Sequence, residues 1–141
     1  MTASYATNVI GVVRVTNTML PLLHKAENAR IVNITSDLGS LQHLATEDHP
    51  MGAFPLLMAY NSSKTALNAI TLHYAKELAD SPISVHAVSP GYVATDLNGH
   101  QGTATPEQGA RVPVAIATGP ERFPDLLISD TGTGETSTTP W

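Results

Sequence analysis

Apolar residues recur at helical spacing over residues 4–26, at the start of the chain. They form one broad apolar face, made up of Val9, Val12, Val13, Thr16, Met19, Leu20 and Leu23. Pro21 is expected to kink this helix or to mark its last turns, because a proline inside a helix removes one backbone hydrogen bond. The pattern therefore predicts a first helix with a wide packing face.

Two later segments, residues 30–35 and 83–88, are short, β-branched and almost continuously apolar. This pattern is typical of strands that are buried on both faces of a parallel sheet. Each is followed by a polar turn that contains glycine, residues 36–40 and 89–91. Residues 123–128 are expected to form a third, short strand.

Residues 55–79 between the first two strands read as a long central helix, in which proline suits the first turn. It has an apolar stripe of Leu67, Ile70, Tyr74 and Leu78. A second stripe of small residues, Ala59, Ser63, Ala66 and Ala69, would let another helix approach closely. A further helix over residues 106–117 is expected to be capped by Thr105.

Strand, long helix and strand form a right-handed crossover with parallel strands, so the predicted fold class is α/β. The carboxyl ends of both strands and the start of the central helix then meet at one edge of the sheet. This is the edge at which open α/β sheets bind ligands. The preceding loop, residues 41–54, is expected to be a solvated loop rather than a metal site, although it contains His43, Glu47, Asp48 and His49.

Tyr60 and Lys64 lie four residues apart in the central helix, so their side chains share one helix face. A tyrosine has a reference pKa of about 10, and a neighbouring cation favours the phenolate and makes it a more useful acid–base group. The alternative is an ordinary exposed helix pair that contributes a few tenths of a kcal/mol. Ser36, taken alone, is most often a turn residue at such a position. Asn8, taken alone, is most often a helix cap or a first-turn polar residue.

The 141 residues correspond to one globular domain. The net charge of −5 gives no basic patch and argues against nucleic acid as a partner. The chain has no cysteine, which excludes disulfides and thiolate metal sites and fits a reducing compartment. Because no segment reads as a signal peptide or a membrane span, we expect a cytoplasmic protein without membrane contact.

Taken together, four segments resemble the short-chain dehydrogenase/reductase family in its carbonyl-reductase-like form, over about residues 5–130. They are TNV at 7–9, RIVNITS at 30–36, YNSSK at 60–64 and SPGYVATD at 89–96. The resemblance implies that Tyr60 exchanges a proton with the substrate oxygen and that Lys64 lowers the Tyr60 pKa. It also implies that Ser36 hydrogen-bonds the substrate carbonyl and that Asn8 anchors a water in the proton relay.

The same resemblance implies an NAD(P) cofactor. Tyr60 and Lys64 would hold the nicotinamide ribose, while the backbone around Pro90 and Gly91 and the side chain of Thr95 would contact the nicotinamide end. The expected reaction interconverts a small-molecule carbonyl and a secondary alcohol by hydride transfer.

Family members also carry an amino-terminal glycine-rich turn that binds the pyrophosphate, and this sequence has no such turn. We therefore expect residues 1–130 to be the catalytic half of a Rossmann-like domain, with the last three strands and three helices of a doubly wound parallel sheet. Residues 131–141 would be a tail, whose Gly132-Thr133-Gly134 is not predicted to bind phosphate because no helix follows it. The family also implies a homo-oligomer through the first and central helices. The alternative function is a non-catalytic remnant that works by helix-mediated dimerisation.

Overall fold

The computed structural model of the 141-residue chain describes residues 1–46, 57–119, 123, 125–130 and 136–140. Its helices are α1 (Thr2–Tyr5), α2 (Val12–Leu23), α3 (Leu41–Ala45), α4 (Met58–Glu77) and α5 (Pro106–Thr118). Its strands are β1 (Arg30–Ile34), β2 (Ser84–Ser89), β3 (Leu127–Asp130) and β4 (Thr136–Thr138). A π-helical segment, Ala6–Gly11, joins α1 to α2, and the three together are the first helix.

The strands form one sheet in the order β1-β2-β3-β4. β1 pairs with β2 and β2 with β3 in parallel, with Ile31 opposite Val85 and Val88 opposite Ile128. The predicted α/β class and the parallel crossover are thereby confirmed.

The expected set of three strands is incomplete, because β4 runs antiparallel to β3 within the predicted tail. β-branched threonines suit the extended backbone there, and the glycine- and proline-rich surroundings hid this signal. β3 also begins later than predicted, at Leu127 rather than at residue 123. Gly132-Thr133-Gly134 lies outside the described residues.

Each face of the sheet has its own hydrophobic core, as in a doubly wound fold. Successive side chains of a strand point to opposite faces, which separates Val85 from Val88. One cluster joins the first and central helices to the sheet and contains Ala29, Ile31, Tyr74, Leu78, Ile83 and Val85. The other joins α5 to the opposite face and contains Val88, Val112, Ile116 and Ile128.

The central helix α4 also packs on β1 through buried polar pairs. Asn33 Nδ2 donates to Thr71 Oγ1 at 2.9 Å, and the Thr35 hydroxyl donates to Asn68 Oδ1. The buried face of α4 thus combines the predicted apolar stripe with polar residues that periodicity alone did not assign to it. Because each of these four side chains has a partner, none of them adds the cost of an unsatisfied buried polar atom.

The prediction of an irregular segment over residues 41–54 is wrong for its first part, which forms α3. Ser40 starts this short helix by accepting a hydrogen bond at Oγ from the His43 N–H at 3.1 Å. Residues 47–56 lie outside the described part, including Glu47, Asp48, His49 and the predicted first turn of the central helix. Within the described ranges, no cluster of three or more His, Asp or Glu side chains is arranged to hold a metal ion.

The ends of the remaining helices agree closely with the predicted ones. The first helix spans residues 2–23 rather than 4–26, and Pro21 lies in its last turn. Thr105 caps α5 as predicted, in a reciprocal pair with Gln108. None of the helices in the described ranges is long and apolar enough to cross a bilayer.

The second core offers a direct test of these assignments. Ile116 on α5 is fully buried, whereas Val114 on the same helix is 55% exposed. We expect Ile116→Ala to lower the free energy of unfolding by about 2–5 kcal/mol, because it leaves a cavity against β2 and β3. Val114→Ala should change it by less than about 1 kcal/mol in the same denaturant titration. Equal effects would contradict the packing of α5 described here.

Candidate active site

Tyr60 and Lys64 lie side by side in the early turns of α4, as their spacing predicted. Lys64 Nζ is 5.5 Å from the centroid of the Tyr60 ring. The Lys64 side chain is buried, and its Nζ donates to the Ile34 carbonyl at the end of β1 at 2.8 Å. The bland alternative of an exposed helix pair is therefore wrong, since Lys64 reaches across to the sheet.

Ser36 follows β1 directly and lies beside Tyr60. Its side chain is near enough to lower the pKa of Tyr60, against the larger raising effect of burial. Ser36 Oγ also accepts from the Leu38 N–H at 3.2 Å and so starts a 3-10 turn over Asp37–Gly39. Ser36 is thus a turn residue, as one interpretation of the sequence predicted, and it is also a neighbour of Tyr60.

The turn after Ser36, residues 37–39, packs tightly on α4 because it ends in glycine. A Cβ at Gly39 would lie 2.8 Å from the Lys64 Cβ, which is closer than side-chain carbons approach. The Thr65 hydroxyl donates to the Gly39 carbonyl at 2.9 Å and fixes this contact. The glycine therefore sets the distance between the Ser36 turn and the helix that carries Tyr60 and Lys64.

Asn8 lies in the π-helical segment of the first helix and contacts the same turn of α4. Its Nδ2 donates to Ser63 Oγ at 2.9 Å, and the Ser63 hydroxyl donates to the Tyr60 carbonyl at 2.7 Å. Ser63 belongs to the predicted stripe of small residues, which here receives the first helix of the same chain. Asn8 is therefore neither a cap nor a solvated first-turn residue, and the sequence pattern did not reveal its partner Ser63.

Burial controls the protonation of the two ionisable groups. It raises the pKa of Tyr60 above its ordinary value, and the hydrogen bond from Ser36 offsets this only in part. Burial also lowers the pKa of Lys64. Lys64 was expected to lower the Tyr60 pKa; in the structure that pKa is raised, because burial is the largest influence on it. Tyr60 is a protonated phenol at neutral pH.

The predicted cofactor-side residues lie farther along the chain. Gly91 follows β2 with a φ of +78°, a left-handed conformation that favours glycine, and a Cβ there would lie 3.3 Å from the Asp130 carbonyl oxygen. Pro90 precedes it at the same edge of the sheet. Thr95 lines a groove of about 520 Å³ formed by residues 94–96, 100 and 102–106. Neither Tyr60 nor Lys64 lines that groove, so Thr95 is not brought into the same cavity as the catalytic candidates.

One polar cluster at this edge of the sheet was not predicted from the sequence. The Asp37 carboxylate accepts hydrogen bonds from Ser129 and from Thr139, the latter at 3.3 Å, and the Asp37 N–H donates to Ser89 Oγ at 3.1 Å. Ser89 and Asp37 were identifiable as polar residues at the ends of parallel strands. Ser129 and Thr139 were not, because the path of the last two strands was not predicted correctly.

Comparisons with known proteins agree with the fold. The profile of the short chain dehydrogenase family matches residues 1–105. The chain is 37% identical over 137 residues to "Short-chain dehydrogenase anuI" of Penicillium roqueforti, covering 93% of this chain and 54% of that protein. It spans about half the length of the curated relatives it matches.

Solved structures show the same likeness. Salutaridine reductase from Papaver somniferum superposes with a TM-score of 0.71 at 29% identity, over 87% of this chain and 52% of that one. The NADPH-bound carbonyl reductase from chicken fatty liver gives a TM-score of 0.75 over 95% and 55% of the two chains. At 24% identity the second comparison shows the fold alone, which confirms the predicted Rossmann-like arrangement.

The burial of Tyr60 predicts its titration. Because burial disfavours the phenolate, Tyr60 should ionise above the reference pKa of about 10 in the free protein. Ser36→Ala should raise its pKa further, since the variant removes the hydrogen bond that favours the charged form. An ultraviolet difference titration of the wild type against Tyr60→Phe separates Tyr60 from the other tyrosines. A Tyr60 transition clearly below pH 10 would contradict this account.

Proposed function

The chain belongs to the short-chain dehydrogenase family, and from that premise we propose that it carries the proton-transfer machinery of an NAD(P)-dependent oxidoreductase. The proposed reaction interconverts a small-molecule carbonyl and a secondary alcohol. The observation that carries the proposal is the arrangement of Ser36, Tyr60 and Lys64. Burial raises the pKa of Tyr60 and the nearby Ser36 side chain lowers it in part, while the Lys64 ammonium lies over the Tyr60 ring.

Tyr60 acts as the acid in carbonyl reduction. The substrate oxygen would lie between the two hydroxyls, where it accepts a hydrogen bond from each as negative charge builds on it. The Tyr60 phenol then gives its proton to that oxygen, which yields the alcohol, and the reverse step takes the proton back. When bound, NAD(P) would supply the hydride to the carbonyl carbon, or accept it in the oxidative direction. The raised Tyr60 pKa supports this role because it keeps the phenol protonated at neutral pH.

Lys64 is suited to bind the nicotinamide ribose of the cofactor, as the family resemblance implies. An ammonium has three N–H donors, and the Ile34 carbonyl takes one of them. The others are available to the hydroxyls of a nicotinamide ribose next to Tyr60. The backbone at Pro90 and Gly91 and the side chain of Thr95 would contact the nicotinamide end. The left-handed φ of Gly91 supports this by turning the chain sharply after β2.

Asn8 supports Tyr60 from the first helix. Through Ser63 it is linked to the backbone of the turn that carries Tyr60, so it can order a water next to this turn and re-supply the proton. The π-helical segment around Asn8 supports the assignment, since such irregularities in helices often occur at functional sites.

Substitution of the acid separates chemistry from binding. Tested in a chain that also carries the glycine-rich turn of the family, Tyr60→Phe should lower kcat for the reduction of probe ketones by about 10²–10⁴-fold, because it removes the proton donor. Binding of NADPH or NADH should be largely retained in fluorescence titrations. Tyr74→Phe is the matched control on the same helix. Its hydroxyl contacts Asn17 of the first helix at 2.7 Å, and its turnover should stay near the wild-type rate. Wild-type turnover by Tyr60→Phe would refute the mechanism.

We also propose that two copies associate through the first and central helices. The first helix carries four large apolar side chains that are exposed: Ile10, Val15, Met19 and Leu22. Such a row of apolar residues on one helix supports a contact with another apolar surface. A chain that acts by this association alone is the alternative function, but it leaves the paired hydroxyls and buried lysine without a role.

Light scattering tests the association. Leu22→Glu places a charge on the exposed face of the first helix, so we expect the mass to shift from dimer toward monomer. Leu97→Glu is the matched control, because Leu97 is also an exposed leucine but lies in the 3-10 turn after Thr95. A monomeric wild type at micromolar concentration would contradict the proposed dimer.

A further inference from the structure

Asp37 is the point at which four separate segments of the chain meet. Its carboxylate accepts hydrogen bonds from Ser129 on β3 and from Thr139, which follows β4. Its backbone N–H donates to Ser89, the last residue of β2. Asp37 itself belongs to the turn that follows β1. One residue therefore joins the carboxyl ends of the parallel strands to the final segment of the chain.

The partners of Asp37 are well shielded from water. Ser89, Ser129 and Thr139 are all buried, with Thr139 only 3% exposed. Hydrogen bonds in such surroundings are stronger than those on a surface, and a buried polar group that loses its last partner is costly. The Asp37 carboxylate is thus the shared acceptor of the Ser129 and Thr139 hydroxyls, which also contact each other.

This cluster is directly connected to the proposed proton-transfer site. Asp37 adjoins Ser36, whose Oγ accepts from the Leu38 N–H and whose side chain is near enough to Tyr60 to lower its pKa against the raising effect of burial. The other end of the turn has an independent anchor, the contact of Gly39 with Thr65 on α4. Loss of the Asp37 side-chain bonds therefore removes the tie between the Ser36 end of the turn and the last two strands, while the backbone bond to Ser89 and the Gly39 contact with α4 remain.

We propose that Asp37 is a positioning residue, which ties the Ser36 turn to Ser129 and Thr139 and so keeps the Ser36 hydroxyl on Tyr60. Its effect on catalysis rests on the proposed function, whereas the structural link can be measured without any turnover. The final segment of the chain, far from the catalytic candidates in sequence, thereby contributes Thr139 to the placement of Ser36.

Amide hydrogen exchange of the full chain tests the structural link. In Asp37→Ala, the Leu38 N–H should exchange about tenfold faster or more, because its acceptor Ser36 is no longer held in place. The Ala87 N–H, which donates to the Leu126 carbonyl at 2.8 Å between β2 and the start of β3, should keep its wild-type rate. Asp37→Asn retains the acceptor oxygen and should restore slow exchange at Leu38. Asp80→Ala, at an exposed acidic residue after α4, controls for the loss of a negative charge.

A double-mutant cycle tests the catalytic consequence. Asp37→Ala should lower kcat about tenfold in the wild-type background but change it little in a Ser36→Ala background, since there is no serine hydroxyl left to position. Asp37→Asn should recover most of the wild-type kcat. If Asp37→Ala folds poorly, Thr139→Ala removes one of the two hydroxyl donors from outside the turn and should cause a smaller change of the same sign.

These measurements distinguish the positioning role of Asp37 from the proposed oxidoreductase function. Unchanged exchange at Leu38 in Asp37→Ala, or equal losses of kcat with and without Ser36, overturns the positioning role. A wild-type chain that shows the exchange pattern but no turnover supports the link between Asp37 and Ser36. That result counts against the proposed oxidoreductase function instead.

Discussion

The parallel pairing of β1 with β2 is the constraint on which the rest of this structure depends. Parallel strands bring their carboxyl ends to one edge, so the residues that follow β1 and β2 are neighbours although about fifty positions separate them. Ser36, Asp37 and Ser89 meet at that edge for this reason. The helix that crosses between the strands then delivers Tyr60 and Lys64 to the same place.

Burial is the second determinant, and it acts against the charges at the site. Removing Lys64 from water costs free energy, and the bond from its ammonium to the Ile34 carbonyl offsets part of that cost. The Tyr60 phenol is less costly to bury in its neutral form, which explains why its pKa moves upward rather than downward. The site thus holds one proton donor and one buried cation, and the cation is oriented by the Ile34 carbonyl at the sheet edge.

Much of this arrangement could be predicted from the sequence. Apolar β-branched runs mark β1 and β2, and the spacing of Tyr60 and Lys64 places them on one helix face. The remainder depends on tertiary contacts that local patterns do not encode. Asn68 and Thr71 look like ordinary helix polar residues until Thr35 and Asn33 are seen opposite them. β4 is short and rich in threonine, so its pairing with β3, and with it the position of Thr139, could be found only in three dimensions.

The π-helical segment Ala6–Gly11 has a consequence for how this helix tolerates change in length. A π turn bonds residue i to i+5, so it accommodates one residue more than an α turn and shifts the phase of everything before it. Deleting one residue within this segment would restore a regular α-helix. Each residue of an α-helix turns it by about 100°, so Asn8 would rotate away from Ser63 while α2 kept its packing. Insertions and deletions in this segment therefore change the angular position of Asn8 around the helix axis. Substitutions elsewhere on the helix do not have this effect.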